Sequence, residues 1–300
     1  MNIAESKLIV CSIVRNAEKG LRRNMPVIYE LCRMFRDYEI IIYENDSIDK
    51  TKNILKEWEK TEPERIHVIS EDTNSSPTIP ESKDTLCVNP FFSNRRISKM
   101  ASLRNKYLDY VEKKNIAADY LMVVDLDVAQ LYISGIIDSF EKADDWDVVT
   151  AYGYSMSPRL KKRYHDTYAL TFAGMSIIPQ TETDIHVNAM KMARICNNSK
   201  GLVLVESAFG GLAIYKFDAI RGLKYNVDKN DDDRVEVHCE HFSLNRQIAL
   251  RGYNRIFVNP KMKLKYQEVT LDFILKKIKE KIKREFLIDR MVKDKNKLHS

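Results

Sequence analysis

The chain has 300 residues, 44% of them hydrophobic and 31% charged, with a formal charge of +6 at neutral pH. This is enough to bury a sizeable core as one large domain or two closely joined ones, and no run approaches the roughly 18–20 apolar residues a membrane span needs. Ten Lys or Arg face five Asp or Glu between Val269 and Ser300, so the remainder is nearly neutral and broad nucleic-acid binding is disfavoured.

Met1–Ser6 carries no basic patch ahead of an apolar core, and Cys11, Cys32, Cys87, Cys196 and Cys239 are scattered, odd in number and free of CxxC spacing. A cytoplasmic protein with reduced thiols is expected, not a disulfide frame or a zinc site.

Lys7–Val14 reads as a buried first strand, followed at once by the polar Arg15-Asn16-Ala17-Glu18. A helix is expected from about Lys19 to Met34, despite Pro26, because Leu21, Met25, Ile28, Leu31 and Phe35 recur at helical spacing. Tyr38–Tyr43 gives a second strand that stops in Glu44-Asn45-Asp46-Ser47-Ile48-Asp49. A helix over Thr51–Lys60 follows, with Ser47 or Asp49 suited to cap it. Ile66–Ser70 is a third strand. The alternation argues for a parallel sheet with crossover helices.

Glu71–Asn94, with Pro77, Pro80 and Pro90, reads as a long loop of the kind that is often functional. Arg95–Lys114 is expected as a helix lined by Ile97, Met100, Ala101, Leu103, Leu108 and Val111, with Arg104 at its middle. That arginine either reaches a diphosphate or pairs with a core carboxylate.

Leu121–Val124 is a short buried strand running into Asp125-Leu126-Asp127. In an extended segment, spacing i, i+2 puts Asp125 and Asp127 on one face, where both carboxylates can meet one cation. The alternative is a strand that merely ends at the surface.

In an open sheet, ligands bind beyond the carboxyl ends of the strands. Arg15, Asn16, Glu44 and Asp46 fall at that rim together with Asp125 and Asp127. The carboxylates there suit ribose hydroxyls or a uracil or guanine imide, and Arg15 suits a phosphate. Asp46, Ser47 and Asp49 could equally serve only to make a turn and a cap.

The ordered set of Glu44-Asn45-Asp46-Ser47-Ile48-Asp49-Lys50-Thr51, Leu103-Arg104-Asn105 and Asp125-Leu126-Asp127 resembles nucleotide-sugar-dependent glycosyltransferases of the GT-A fold. It is similar in particular to the fungal capsule-associated α-mannosyltransferases and their bacterial relatives. Tyr164-His165-Asp166-Thr167-Tyr168-Ala169 resembles that family's tyrosine–aspartate motif, Ala208–Tyr215 its glycine-containing donor-sugar loop, and Cys239-Glu240-His241 its acidic motif before a helix. The likeness runs from about Lys7 to Lys265. It departs in the Asp125-Leu126-Asp127 triplet, where the fungal members carry Asn-Asp, and in Leu170-Thr171, where they carry an arginine.

The resemblance implies a Rossmann-like mixed α/β sheet flanked by helices, Mn²⁺ or Mg²⁺ as cofactor, and one histidine, His241 or else His238, as a third metal ligand beside Asp125 and Asp127. Hard oxygen ligands and a diphosphate partner suit those metals better than zinc. Glu240 and Asp166 are the candidate catalytic residues. Tyr164 and Tyr168 join Asp166 in a polar-aromatic set suited to a sugar. Glu240, favoured for function over His238 or His241, would orient the acceptor or act as base, the alternative being a satisfied polar cluster on a loop. Gly210 and Gly211 would let backbone approach the donor sugar closely, or would mark a strand bend.

Asp228–Arg234 is expected as a solvated acidic loop, Ser243–Arg251 as a helix and Arg255–Val258 as a final strand with its exit at Asn259-Pro260. Leu271, Ile274, Leu275, Ile278, Ile282, Phe286 and Met291 then recur among lysines as a basic amphipathic helix. It would lie on an anionic membrane surface, pack back on the domain, or join two copies as a homodimer.

Residues 1–266 are thus expected to form one domain, nucleotide-binding up to about 130 and donor-sugar- and acceptor-binding after it, with residues 267–300 as a tail. The function read from this is transfer of a sugar from a nucleoside diphosphate sugar to a glycan or lipid-linked acceptor, in surface polysaccharide synthesis. The alternatives are a sugar-phosphate nucleotidyltransferase, which should carry a glycine-rich loop after the first strand, and a non-catalytic membrane-docking protein.

Overall fold

The computed structural model describes residues 3–75, 90–156, 161–173, 175, 182–230 and 235–268, with six positions between 271 and 279. Cys87, the middle of the long loop, residues 231–234 of the acidic loop and most of the C-terminal amphipathic segment therefore lie outside the described residues.

The first half follows the expected alternation: β1 (Lys7–Val14), α1 (Glu18–Cys32), β2 (Asp37–Asn45), α2 (Thr51–Thr61), β3 (Ile66–Glu71), α3 (Asn94–Lys113) and β4 (Tyr120–Val124). The strands stand in the order β3-β2-β1-β4, every neighbour parallel. Leu8, Val10, Ile40, Ile42, Met122 and Val124 point to one face and pack under α1 and α2. Ile9, Cys11, Ile41, Leu121 and Val123 point to the other, under α3. The period of two along each strand thus gives both faces a core.

The second half adds β5 (Gln130–Leu131), α4 (Ile133–Glu141), β6 (Val148–Met156), β7 (Lys162–Tyr164), α5 (Glu182–Asn198), β8 (Val203–Leu204), β9 (Leu212–Lys216), α6 (Phe217–Ile220), α7 (Glu240–Leu250) and β10 (Ile256–Lys265). β9 enters antiparallel between β4 and β6, and β10 runs parallel to β6, so the sheet is mixed and continuous, not wholly parallel. This is the Rossmann-like mixed sheet flanked by helices that the resemblance implies.

Two expected boundaries move. The strand after Arg255 does not exit at Asn259-Pro260. It passes a register shift between Asn259 and Lys263 and continues to Lys265, the bulge absorbing a proline that has no N–H for the ladder. The helix expected from Ser243 begins at Glu240, so Glu240 and His241 stand in its first turn and not on a loop. An acidic side chain there suits the positive end of the helix dipole. Cys11, Cys32, Cys196 and Cys239 are buried and unbonded, as expected.

Candidate functional site

Four parallel strands end on one rim, and a cavity of about 700 Å³ opens there. Arg15 and Asn16 reach it from the end of β1, Asp125 and Asp127 from the end of β4, Asp166 from the turn after β7, Arg104 from α3, and Glu240 and His241 from α7. Eight of the expected site residues therefore share one cavity.

Arg104 is there because of helix register. Ile97, Ala101, Arg104, Leu108 and Val111 form the buried stripe of α3, so the guanidinium is carried inward with the apolar side chains. A buried charge needs partners. Nε of Arg104 donates to Oε1 of Glu240 at 3.1 Å, and Nη2 lies 3.5 Å from Oδ1 of Asp125. Its guanidinium carbon also sits 4.9 Å from the centre of the Phe209 ring. Of the two roles open from sequence, the structure places Arg104 against core carboxylates, with Nη1 buried and unpartnered.

Asp125 closes β4, its N–H donating to the carbonyl of Gly211 at 2.8 Å. Its side chain is 21% exposed, into the cavity. Burial pushes its carboxyl up to about 7, Arg104 pulling the other way and Asp127, Asp166 and Glu240 adding to the rise. Asp127 does not share an extended strand face with Asp125, because the chain turns at Leu126. It stands at the open edge of the cavity, and desolvation by the surrounding wall still raises its carboxyl.

The turn that carries Asp127 is clamped by α1. Asn24, fully buried, donates from Nδ2 to the carbonyls of Leu126 (3.0 Å) and Val128 (2.8 Å) and accepts from the N–H of Leu131 at 3.3 Å. A Cβ on Gly20 would stand 2.5 Å from Cα of Asp127, so only glycine lets helix and turn approach this closely. Neither residue is a site candidate from sequence. A glycine inside a helix and a buried asparagine were the available signals.

Asp166 is half-buried, and burial, reinforced by Glu240, raises its carboxyl to about 6 against hydrogen bonds from the backbone of Gly210 and Ala169. His241 is buried, stacked on Phe209 with ring centres 3.8 Å apart; neither ring nitrogen makes a hydrogen bond, and Nε2 lies 3.9 Å from Oε1 of Glu240. Burial and Arg104 hold its pKa well below the usual histidine value, leaving a neutral ring with a free lone pair. His238 lies off the cavity, half-buried and stacked on Phe242. Tyr168 lines the cavity, stacked on Phe92 at 4.0 Å, whereas Tyr164 is buried beside Gly210.

Four expected ligand-binding residues are placed elsewhere. Glu44 is fully buried and accepts from the N–H of Ser47 (2.8 Å) and the hydroxyl of Ser70. Asp46 accepts from the backbone of Thr73, Asn74 and Ser75 and from the Thr73 and Ser75 hydroxyls, which together hold its carboxyl far below the usual range. Both acids build the β2 exit loop; neither lines the cavity. That loop also fixes the β1 exit, since Asn16 donates from its N–H to Ser47 and accepts from the N–H of Ile48. The N-cap of α2 is Lys50, not Ser47 or Asp49; Asp49, one residue earlier, accepts from the N–H of Thr51 at 3.0 Å and from the N–H of Glu18. Gly210 and Gly211, at φ 65° and 87°, do not meet the cavity either. Their missing Cβ atoms make room for the Ala151 carbonyl and the Tyr266 hydroxyl.

Among the described residues no three His, Cys, Asp or Glu side chains stand around one point as a finished metal site. The donor set nevertheless fits a hard divalent cation: two carboxylates at the end of β4 and a neutral buried imidazole face a cavity with more acids than bases. Among the described residues, no helix is long and apolar enough to cross a membrane.

The cryptococcal mannosyltransferase 1 family matches residues 7–245 of the chain. No curated protein matches. Of solved structures, the mannosyltransferase PcManGT from Pyrobaculum calidifontis, in complex with GDP-Man and Mn²⁺, is 14% identical; the alignment covers 90% of this chain and 59% of that one at a TM-score of 0.49. TarS 1-349 of S. aureus in complex with UDP-GlcNAc is 14% identical over 88% of this chain and 60% of that one at 0.42. Glucosyl-3-phosphoglycerate synthase from Mycobacterium tuberculosis in complex with uridine-diphosphate is 11% identical over 90% and 75% at 0.43. The chain thus spans about three fifths of the length of the first two. With the family match extending over most of the chain, the protein belongs to the cryptococcal mannosyltransferase 1 family.

Proposed function

We propose that the protein is a metal-dependent hexosyltransferase that moves a sugar, mannose by family, from a nucleoside diphosphate sugar to a glycan or lipid-linked acceptor. The observation that carries this reading is the meeting of Asp125, Asp127, Asp166, Glu240 and Arg104 on one cavity at the carboxyl ends of the parallel strands.

Asp125, Asp127 and His241 would hold Mn²⁺ or Mg²⁺. Bound there, the cation would offset the charge that builds on the departing diphosphate. Arg15 and Asn16 flank the nucleotide end of the cavity; Nη1 of Arg15 lies 3.9 Å from Oδ2 of Asp46 and makes no hydrogen bond, which suits it to a phosphate oxygen. Arg104 keeps Asp125 and Glu240 in place and compensates their charge. Glu240 is the proposed base that takes the proton from the acceptor hydroxyl, and Asp166 the proposed partner of donor-sugar hydroxyls. Retention of configuration is what the family likeness implies. The basic segment after residue 268 would bring a lipid-linked acceptor's membrane close by attraction to anionic lipid.

The test is nucleoside diphosphate release from GDP-mannose and from UDP-hexoses, with and without Mn²⁺. Release from one donor class, dependent on metal and abolished in D125N/D127N, is the expected result. Turnover that persists in the double variant would sink the proposal.

A further inference from the structure

Tyr266 is a cavity residue outside the matched family region, at the end of the bulged strand β10. Its backbone is tied on both sides: its N–H donates to the Tyr154 carbonyl at 3.1 Å, and its carbonyl accepts from the N–H of Ala129, just past Asp127, at 3.3 Å. Its ring stacks on His165, centres 3.9 Å apart and planes inclined by 28°. The phenol is therefore held from the backbone and from one ring face.

The hydroxyl, by contrast, has no hydrogen-bond partner among the described residues, although its residue lines the same cavity as Asp125, Asp127 and Asp166. Burial first, and then Asp166, Asp125, Tyr164 and Asp127, hold its proton on. The fold also makes space for it. A Cβ on Gly211 would lie 2.8 Å from the Tyr266 oxygen, and one on Gly153 would lie 2.7 Å from the ring edge. Gly211 in turn accepts from the N–H of Asp125. Three elements, β6, the glycine turn and the end of β10, are thus shaped around one hydroxyl that forms no hydrogen bond among the described residues.

A protonated phenol among carboxylates is a donor waiting for an acceptor. Resting on the proposed function, which puts the diphosphate at Asp125 and Asp127 and the sugar toward Asp166, the place between them belongs to the sugar-bearing end of the donor. We propose that Tyr266 is a donor-contacting residue whose hydroxyl hydrogen-bonds the sugar-bearing end of a nucleoside diphosphate sugar, and that Gly211 is required to seat it there. His165 is then a positioning residue, acting through the ring it supports.

The test compares binding of GDP-mannose and of GDP, each with Mn²⁺, to the wild-type chain and to Tyr266→Phe; UDP-GlcNAc and UDP serve as a second pair. Phenylalanine keeps the ring stack and removes only the hydroxyl, so the melting temperature should stay within about 1–2 °C. The expected result is a loss of roughly 5- to 30-fold in affinity for the intact donor with the diphosphate unchanged, the size of one hydrogen bond to a ligand oxygen. Gly211→Ala should lose at least as much affinity for the intact donor. Unchanged donor binding in Tyr266→Phe, or equal losses for donor and diphosphate, overturns the assignment. Failure of the wild type to bind any of the four nucleotides overturns the glycosyltransferase reading, and this assignment with it.

Discussion

Arg104 and Glu240 form a side-chain pair at 3.1 Å in which each is only 5% exposed. The pair joins α3 to α7 and leaves one guanidinium nitrogen for Asp125. Removing one member of such a pair leaves an uncompensated buried charge, which typically costs about 3–5 kcal/mol. Arg104→Ala should therefore destabilise by about that amount in urea unfolding. Glu240→Gln keeps the shape and an acceptor oxygen but leaves the Arg104 charge less compensated, so it should cost up to about 3–5 kcal/mol, while turnover per folded molecule falls roughly 10²-fold or more if Glu240 is the base. Near-wild-type turnover in that variant would confine Glu240 to scaffolding.

Asp125 makes a prediction about pH. Its folded-state carboxyl titrates near 7, above an unfolded value near 4, chiefly because burial disfavours the charged form. The folded state thus holds a proton that the unfolded state has already lost, and its contribution to stability falls as pH rises from about 4 to 7. Without metal, Asp125→Asn should be more stable than wild type at pH 8, with the difference shrinking toward pH 4. Mn²⁺ should raise the wild-type melting temperature and not that of the variant. A variant less stable than wild type at pH 8 would contradict the sign.

Gly20 and Asn24 should matter without touching a ligand. Gly20→Ala puts a Cβ at 2.5 Å from both Cα of Asp127 and the Leu126 carbonyl, so helix and turn must separate. Overpacking of this kind costs about 1–3 kcal/mol. The distinguishing measurement is Mn²⁺-dependent nucleotide affinity well below the melting temperature. It should fall in Gly20→Ala and Asn24→Ala, and not in a control of equal stability on the far side of α1, such as Tyr29→Ala.

A separate network secures the bulge in β10. Asp138 accepts from Lys142, from Nζ of Lys261 at 2.7 Å and from Asn259 at 3.0 Å. Burial would raise its carboxyl, but these three donors overcome it and bring it to about 2. The stabilisation is present above the unfolded value near 4 and lost as pH falls from there to about 2. Screening around the exposed Lys261 leaves about 1–2 kcal/mol. Asp138→Asn should lose that amount at pH 7 and nothing at pH 2, in denaturant titrations at the two pH values.

The first half of the sheet was legible because its strands are unbroken apolar runs bounded by polar turns; Lys7–Val14 and Ile66–Glu71 stand within a residue of their expected places. β9 was hidden inside a glycine-containing stretch read for its glycines, and β10 behind Pro260, which a bulge accommodates. The cavity acids were legible as residue types, but not their division of labour. Glu44 and Asp46 match Asp125 and Asp127 in chemistry. Backbone donors from Ser47 and from Thr73 to Ser75 claim the first pair, while among the described residues Arg104 is the side chain paired with Asp125. Tyr266 carried no pattern at all, since its place depends on glycines far away in sequence.

Asp127 offers the most direct measurement, because it is exposed and its replacement should leave the fold intact. GDP and UDP binding would be measured calorimetrically, with and without Mn²⁺, for the wild type and for Asp127→Asn. The expected result is at least tenfold tighter binding of one nucleotide with Mn²⁺ in the wild type, about 1.4 kcal/mol, and no metal enhancement in the variant. Equal metal enhancement in both proteins, or nucleotide binding indifferent to metal in the wild type, would contradict the assignment of Asp125 and Asp127 as the metal clamp for a nucleoside diphosphate.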